Sequence, residues 1–469
     1  MALAPAAQFK TDATRVAADD DHREKIRRSQ QNFQRARELR KALFQDWEGA
    51  RSTAQSIKAE ALEHLDKHLI HFEEQLISRG VKVYWADDAK DARDYVLRLA
   101  QEKRAQTIIK SKTMVSEEIH LNPELERAGY RVIESDLGEF IVQLRQEAPY
   151  HIVVPAMHLT RGEIGELFQN KLGSEPTTDP EELTMIARKW LRQEYCRADI
   201  GITGANFAVA ETGSIAITEN EGNARLTFSL PRVHIVLVGI EKVLPRLADL
   251  ALFWPMLATS GTGQHMTCYN SLVSGPRQAG ELDGPEEMHV ILLDNARTRL
   301  LADAEQRDTL QCIRCGACLN VCPIFRNVGG HTYGTTYQGP IGSVLTPHLR
   351  GLSGWQHLSQ ASSLCGACTE ICPVKIDLHH HLLHNRRNAL EAAKNPAAHF
   401  PMQIFAFVMN RPWLFRALTR FARLLQPLHR PIQASDIDPL AAWTKSRDLP
   451  PIATKSFREW WEERSNGKS

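Results

Sequence analysis

Over residues 1–80, apolar side chains recur every three or four positions in a charged background, at Leu39, Leu43, Trp47, Ile57, Leu62, Leu65 and Leu69. That period predicts long helices with one apolar face, ending at Gly80. Beyond Gly80 the period changes. Short β-type runs at 81–84, 107–109 and 130–133 alternate with a helix through Leu97 and another over 116–121. A run at 151–154 follows, then helices near 164–172 and over 180–195. Further strand-like runs lie at 200–202, 208–210, 214–217 and 234–238. Strands separated by helices predict a parallel α/β sheet. From Lys394 to Ser435 the chain has no acid, and Arg411, Arg416, Arg420, Arg423 and Arg430 interleave with Phe405, Phe407, Trp413, Phe415, Leu418 and Phe421. The expectation there is a helical pair packed on the protein's own body; a basic face for a membrane surface or acidic partner is the alternative.

The length of 469 residues suggests two to four domains at roughly 150 residues each. With 57 Lys+Arg against 56 Asp+Glu the net charge is +1, which argues against a dedicated nucleic-acid binder. No apolar run approaches the ~20 residues a transmembrane helix needs, and the opening MALAPAAQFKTDATR lacks the apolar region of a signal peptide. A cytoplasmic protein is expected, so its thiols are read as reduced.

Seven of the nine cysteines fall between 312 and 372. Cys312-Ile-Arg-Cys315-Gly-Ala-Cys318-Leu-Asn-Val-Cys322-Pro323 has the C-x2-C-x2-C-x3-C-P spacing of bacterial [4Fe–4S] proteins. Two-residue gaps wrap three thiolates around one cubane, and Gly316 permits close backbone approach. The second run, Cys365-Gly-Ala-Cys368-Thr-Glu-Ile-Cys372-Pro373, repeats the pattern with Ser362 at its first cysteine position. In two-cluster ferredoxins the last cysteine of each run serves the other cluster. That rule assigns Cys312, Cys315, Cys318 and Cys372 to cluster 1, and Cys322, Cys365 and Cys368 to cluster 2. Either Ser362, another side chain or solvent completes the second, or it is a [3Fe–4S] centre. Cys196 and Cys268 stand apart and are expected to be small buried hydrophobes.

No nucleotide fingerprint is present: Gly261-Thr-Gly263 lacks the third glycine of G-x-G-x-x-G. The turns around Gly204-Ala-Asn206 and Glu211-Thr-Gly213 could offer Asn206 and Glu211 to a ligand, although such residues also make ordinary turns. Lys110-Ser-Lys112 with Glu117 and Glu118 is expected to be a solvated turn and helix start. The 42 residues between Cys322 and Cys365 suit a helical ferredoxin-like module better than a compact β-type one.

Ser111-Lys-Thr-Met-Val-Ser-Glu-Glu118, Glu134-Ser-Asp136-Leu-Gly-Glu139, Thr203 to Asn206, Thr212 to Ser214, both cysteine runs, and the glycines of Gly329-Gly-His331 and Gly339-Pro-Ile-Gly342 together give the chain its resemblance to the lactate utilization protein B family. The resemblance implies an α/β LUD domain with a coenzyme A-transferase-like parallel sheet, then a helical ferredoxin-like module and a helical C-terminal region. Bounds expected are 1–80 for the N-terminal helices, 81–298, 299–390 and 391–469. It also implies two [4Fe–4S] clusters, partnership with lactate utilization proteins A and C, and electron transfer in oxidation of L-lactate to pyruvate. Arg314, Lys375 and Arg386 would raise the cluster potential. Two other functions remain open: an acyl or coenzyme A transferase with Glu211 as nucleophile, and an iron–sulfur redox sensor.

Overall fold

The computed structural model describes residues 4–393, 396–433, 435–445 and 447–467. The chain divides into two compact units, Met1–Ala392 and Ala393–Ser469. The first begins with helices Pro5–Ala17, Asp20–Lys41, Trp47–Glu63 and Leu65–Ser78. Asp19 and Asp46 start the second and third by accepting from the N–H groups of His22 and Gly49, donors a helix otherwise leaves unpaired. Trp47, Leu62, Leu65 and Leu69 are buried as expected, but Leu39 and Leu43 are 74% and 55% exposed. The inward face of the second helix runs through Ile26, Gln30 and Arg37, which puts Leu39 on its far side.

Six strands form a parallel sheet: β1 (Lys82–Ala86), β2 (Thr107–Lys110), β3 (Arg131–Glu134), β4 (Ile200–Gly204), β7 (Val233–Gly239) and β10 (Glu287–Leu293), in the order β1-β10-β7-β4-β2-β3. β2, β7 and most of β4 and β10 are buried on both faces, as helix-covered parallel strands must be. The expected runs at 208–210 and 214–217 do not join them. Only a single 3-10 turn, Ala210–Thr212, separates these runs, too short to carry the chain across a sheet, and they fold back as β5 (Phe207–Val209) and β6 (Ser214–Glu219) in a second sheet of order β8-β5-β6-β9, with β8 at Val243–Leu244 and β9 at Tyr269–Val273. The expected strand at 151–154 is a bend, because the His151 ring accepts from the N–H groups of Val153 and Val154 at 3.1 and 3.3 Å.

Residues beyond β10 are helical, including Gly339–Arg350, Leu352–Gln360 and Leu378–Ala393. They share one hydrophobic core with the N-terminal helices: Ile26, Trp47 and Leu62 belong to the same cluster as Leu319, Phe325, Val344 and Leu382. Two glycines, Gly330 in a turn and Gly342 in the helix Gly339–Arg350, explain close packing here. A Cβ on Gly330 or Gly342 would lie 1.7 Å from the carbonyl oxygen of Tyr150 or Tyr337.

The second unit consists of helices Pro396–Met409, Pro412–His429, Ala441–Thr444 and Phe457–Ser465. Phe405, Phe407, Trp413 and Phe421 are exposed. Among the described residues no helix is long and apolar enough to cross a membrane.

Candidate metal centre and adjoining cavity

The two cysteine runs repeat in backbone as well as in sequence. Arg314 and Leu364, each preceding a cysteine, have left-handed φ of +60° and +54°. Gly316 and Gly366 follow at +79° and +80°, each opening a five-residue helix, Ala317–Val321 or Ala367–Ile371. Both helices end on an extended cysteine, Cys322 or Cys372. Left-handed backbone costs a non-glycine residue roughly 1–2 kcal/mol, so Arg314 and Leu364 are held there by their surroundings.

Cys312, Cys315, Cys318 and Cys372 line one narrow cavity with apolar walls that include Ile152, Ile313 and Ile376. The N–H groups of Arg314 and Ile376 donate to Cys312 and Cys372 Sγ, both at 3.4 Å. Cys322, Cys365 and Cys368 neighbour one another instead. Cys322 Sγ accepts from Phe325 N at 3.5 Å and lies within hydrogen-bond reach of the Tyr333 hydroxyl. Cys318 also neighbours Cys368, so the two groups adjoin. Ser362 Oγ accepts from Leu364 N at 3.2 Å. Burial pushes the Cys315 and Cys372 thiols up to about 12 and Cys368 up to about 11. A metal entering either group must therefore displace protons.

Against the four-thiol cavity stands a buried charge network. Arg297 forks onto Glu118 at 2.9 and 2.8 Å and reaches Glu241 at 2.5 Å, while Tyr337 donates to Glu118 at 2.6 Å. Arg314 reaches Glu241 at 3.1 Å and lies over the Tyr337 ring at 4.8 Å. Its Nε and Nη1 are buried without a partner. Despite its burial, Glu241 is held down to about 2 by Arg297, Arg314 and Lys242. Lys58 and Lys242 are also buried. Burial lowers Lys58 to about 7; burial, then Arg314, lowers Lys242 to about 8. Four cationic side chains thus face two carboxylates, leaving up to two positive charges uncompensated. A [4Fe–4S] core in its 2+ state with four thiolates carries two negative charges, so the donor set and its surroundings fit an iron–sulfur cluster.

The N-terminal helices clamp this region. Gln30 donates to Leu319 O at 2.9 Å, Gln34 to Asn320 O, and Arg37 to Ile371 O at 3.2 Å. Arg51 donates to Cys372 O at 2.8 and 3.0 Å. The sequence reading missed them, because Gln30, Gln34 and Arg37 continue a helical stripe from Ile26 that a scan of apolar positions passes over.

A second cavity, of about 490 Å³, opens at the C-terminal ends of β2, β3 and β4 and reaches Arg314 and Cys315. Lys112, Asn206, Lys242, Asp136, Glu219 and Glu221 line it. Asn206, read as either a ligand contact or an ordinary turn residue, lies here. Glu211 does not: it is exposed, and its carboxylate accepts from Leu247 N at 2.7 Å. Lys110 and Glu118 were expected to be solvated, but both are buried. Lys110 is fixed by Ser116 at 2.8 Å, Glu134 at 2.8 Å and Glu117 at 3.0 Å. Cys196 and Cys268 are exposed rather than buried, each lying on an outward-facing position. Lys375 is paired with Ser52 and Glu48 at 2.6 and 3.7 Å. Arg386 spends its donors on the carbonyls of Ser359, Gln360 and Ser362.

A LUD domain matches residues 69–293 and a 4Fe–4S dicluster domain residues 308–376, which makes this an iron–sulfur protein built on a LUD α/β domain. Residues 379–466 match the C-terminal domain of lactate utilisation protein B. Lactate utilization protein B of Geobacillus kaustophilus (strain HTA426) is 45% identical over 426 residues, covering 90% of this chain and 89% of that protein. The Oceanobacillus iheyensis protein of the same name is 41% identical over 454 residues, covering 96% and 95%. The chain belongs to the lactate utilization protein B family. A crystal structure of a DUF162 family protein from Deinococcus radiodurans aligns at a TM-score of 0.29 and 16% identity, over 49% of this chain and 98% of that one, too distant to carry any argument.

Proposed function

We propose that this protein is the electron-transfer component of an L-lactate-oxidising assembly that includes lactate utilization proteins A and C. Its relatives' names support a role in lactate utilization. The observation that carries the finer reading is the convergence of seven thiols into two adjoining groups, one facing surplus buried cations. Cys312, Cys315, Cys318 and Cys372 would hold one [4Fe–4S] cluster, and Cys322, Cys365 and Cys368 the second, with its fourth position filled by Ser362 or another group, or vacant in a [3Fe–4S] centre. Bound there, such clusters supply one-electron transfer, whereas oxidation of lactate to pyruvate releases two electrons.

The chain's own residues set the conditions. The N–H groups on Cys312, Cys322 and Cys372 stabilise charge on sulfur, Arg314 and Lys242 add positive potential from one side, and the apolar walls exclude water. Arg386 holds the backbone leading to Cys365 in place. A cytoplasmic setting suits seven reduced cysteines. In this reading 1–80 and 81–298 form the scaffold, 299–390 carries the redox centres and 391–469 is the family-specific extension.

Anaerobic purification with iron counting, followed by reduction with lactate in the presence and absence of proteins A and C, tests this. About eight irons per chain, reduced by lactate only with the partners present, is expected. Four irons or fewer after reconstitution, or reduction that alters partner binding without turnover, would favour a redox sensor. The transferase reading has no such support, since Glu211 caps a turn outside the cavity.

A further inference from the structure

The 490 Å³ cavity lies where the sheet changes direction. From β2 the chain proceeds to β3 at one edge; from β4 it moves on to β7 on the other side. Ser111 to Thr113 follow β2 and Gly204 to Asn206 end or follow β4, and both segments line the cavity. Open α/β sheets bind ligands at this switch, beyond the carboxyl ends of the strands. Gly204 allows close approach there, because a Cβ would fall 2.4 Å from Thr113 Oγ1.

The lining is polarised. At the end near Cys315 stand Lys242 and Arg314. Lys242 is 7% exposed, and among the described residues it has no hydrogen-bond or ion-pair partner. A buried ammonium in that state is costly unless an anion meets it. Arg314 brings the unpartnered Nε and Nη1. Asn206 Oδ1 accepts from Thr218 N at 2.8 Å, which leaves its amide Nδ2 free to donate. Asp136, Glu219 and Glu221 cluster elsewhere in the lining, with one lysine, Lys112, beside them; their surplus negative charge disfavours a polyphosphate, so the lining selects one anionic group.

We propose that this cavity binds a monoanionic 2-hydroxy or 2-oxo carboxylic acid, with its carboxylate between Lys242 and Arg314 and its C2 oxygen toward Asn206. The choice of acid rests on the lactate reading above; the anion site rests on the cavity itself. A three-carbon acid fills only the cationic end, and the acidic mouth stays open to water. Bound there, the acid adjoins Cys315 and lies within the field of the same arginine that serves the thiols.

The test uses the anaerobically purified holoprotein with its iron counted. L-lactate and pyruvate are titrated calorimetrically, with acetate and inorganic phosphate as comparisons, and EPR of the reduced protein is recorded with and without each. Binding of L-lactate or pyruvate that shifts the EPR signal is expected. Lys242→Met should weaken it at least about tenfold, read against that variant's own iron content and ligand-free spectrum; Asn206→Ala is the second variant should the first lose iron. No binding by a fully iron-loaded wild type, preference for phosphate, or unaltered affinity in both variants overturns the proposal. A chain that binds the acids but lacks two reducible centres would instead overturn the electron-transfer reading and leave the anion site standing.

Discussion

Arg314→Gln removes one of the surplus positive charges beside Cys312 while leaving the thiols intact. The side chain is 7% exposed, so solvent screens it little. At an effective dielectric of about 20 and a separation of roughly 7 Å from the thiol cavity, one unit charge contributes about 2 kcal/mol to each electron taken up, or about 100 mV for a one-electron couple. Glu241 keeps its bond to Arg297 and stays ionised in both forms, so its own charge cancels from the difference. Arg314→Lys keeps the charge and loses only the planar fork. Redox titration followed by EPR separates the two variants. One midpoint should fall by about 100 mV in the Gln variant and by less than about 30 mV in the Lys variant. Equal shifts would refute an electrostatic role for Arg314, because the two variants share only the loss of the guanidinium. A fall confined to a signal that survives Cys312→Ser would refute the placement of its charge beside the Cys312 group.

Three further outcomes follow from the geometry. Cys372→Ser should abolish the same EPR signal as Cys312→Ser, and Cys322→Ser the same signal as Cys365→Ser; pairing by position within each run would refute the crossed assignment. Arg297→Met strands Glu118 and Glu241 in the interior and should destabilise the chain by about 3–5 kcal/mol, read as a lowered urea midpoint under anaerobic conditions, whereas a loss below about 1 kcal/mol would mean that water or rearrangement satisfies both carboxylates. Burial raises the Glu139 carboxyl well above its ordinary value, with Glu134, Glu117 and Asp136 adding to it. The folded chain therefore holds a proton that the unfolded chain releases above about pH 4.3, and the stability contributed by this group is complete below that value and lost as pH rises through the folded pKa. Glu139→Gln should thus gain stability relative to wild type from about pH 5 upward, in paired thermal-unfolding scans; a pH-independent difference would refute the shift.

How much of this was legible depends on whether a residue's role follows from local spacing or from what the fold brings to it. Spacing sufficed for the cysteines. Two gaps of two residues and a terminal Cys-Pro specify a loop whose left-handed positions at 314, 316, 364 and 366 repeat in both copies. The parallel sheet was legible for the same reason, since strands such as β7 are continuously apolar and helices separate them. β5 and β6 were misassigned because a short apolar run does not say which sheet it joins; the short gap between them, room for one 3-10 turn and no crossover helix, was the usable sign. The run at 151–154 has strand composition, but one histidine ring claims its backbone donors, a competition that periodicity does not register. Charged residues were hardest. Lys110 and Glu118 read as solvent-facing, and Lys242 and Arg297 drew no notice, because burial of a charge is rare unless a partner arrives from far along the chain, and here Glu118 meets Arg297 across 179 residues. Lys242 differs from the others in kind. Among the described residues Lys242 has no hydrogen-bond or ion-pair partner, so the same desolvation cost that makes Arg297 and Glu118 a structural pair favours an anion beside it, whether a cluster's charge or a bound carboxylate.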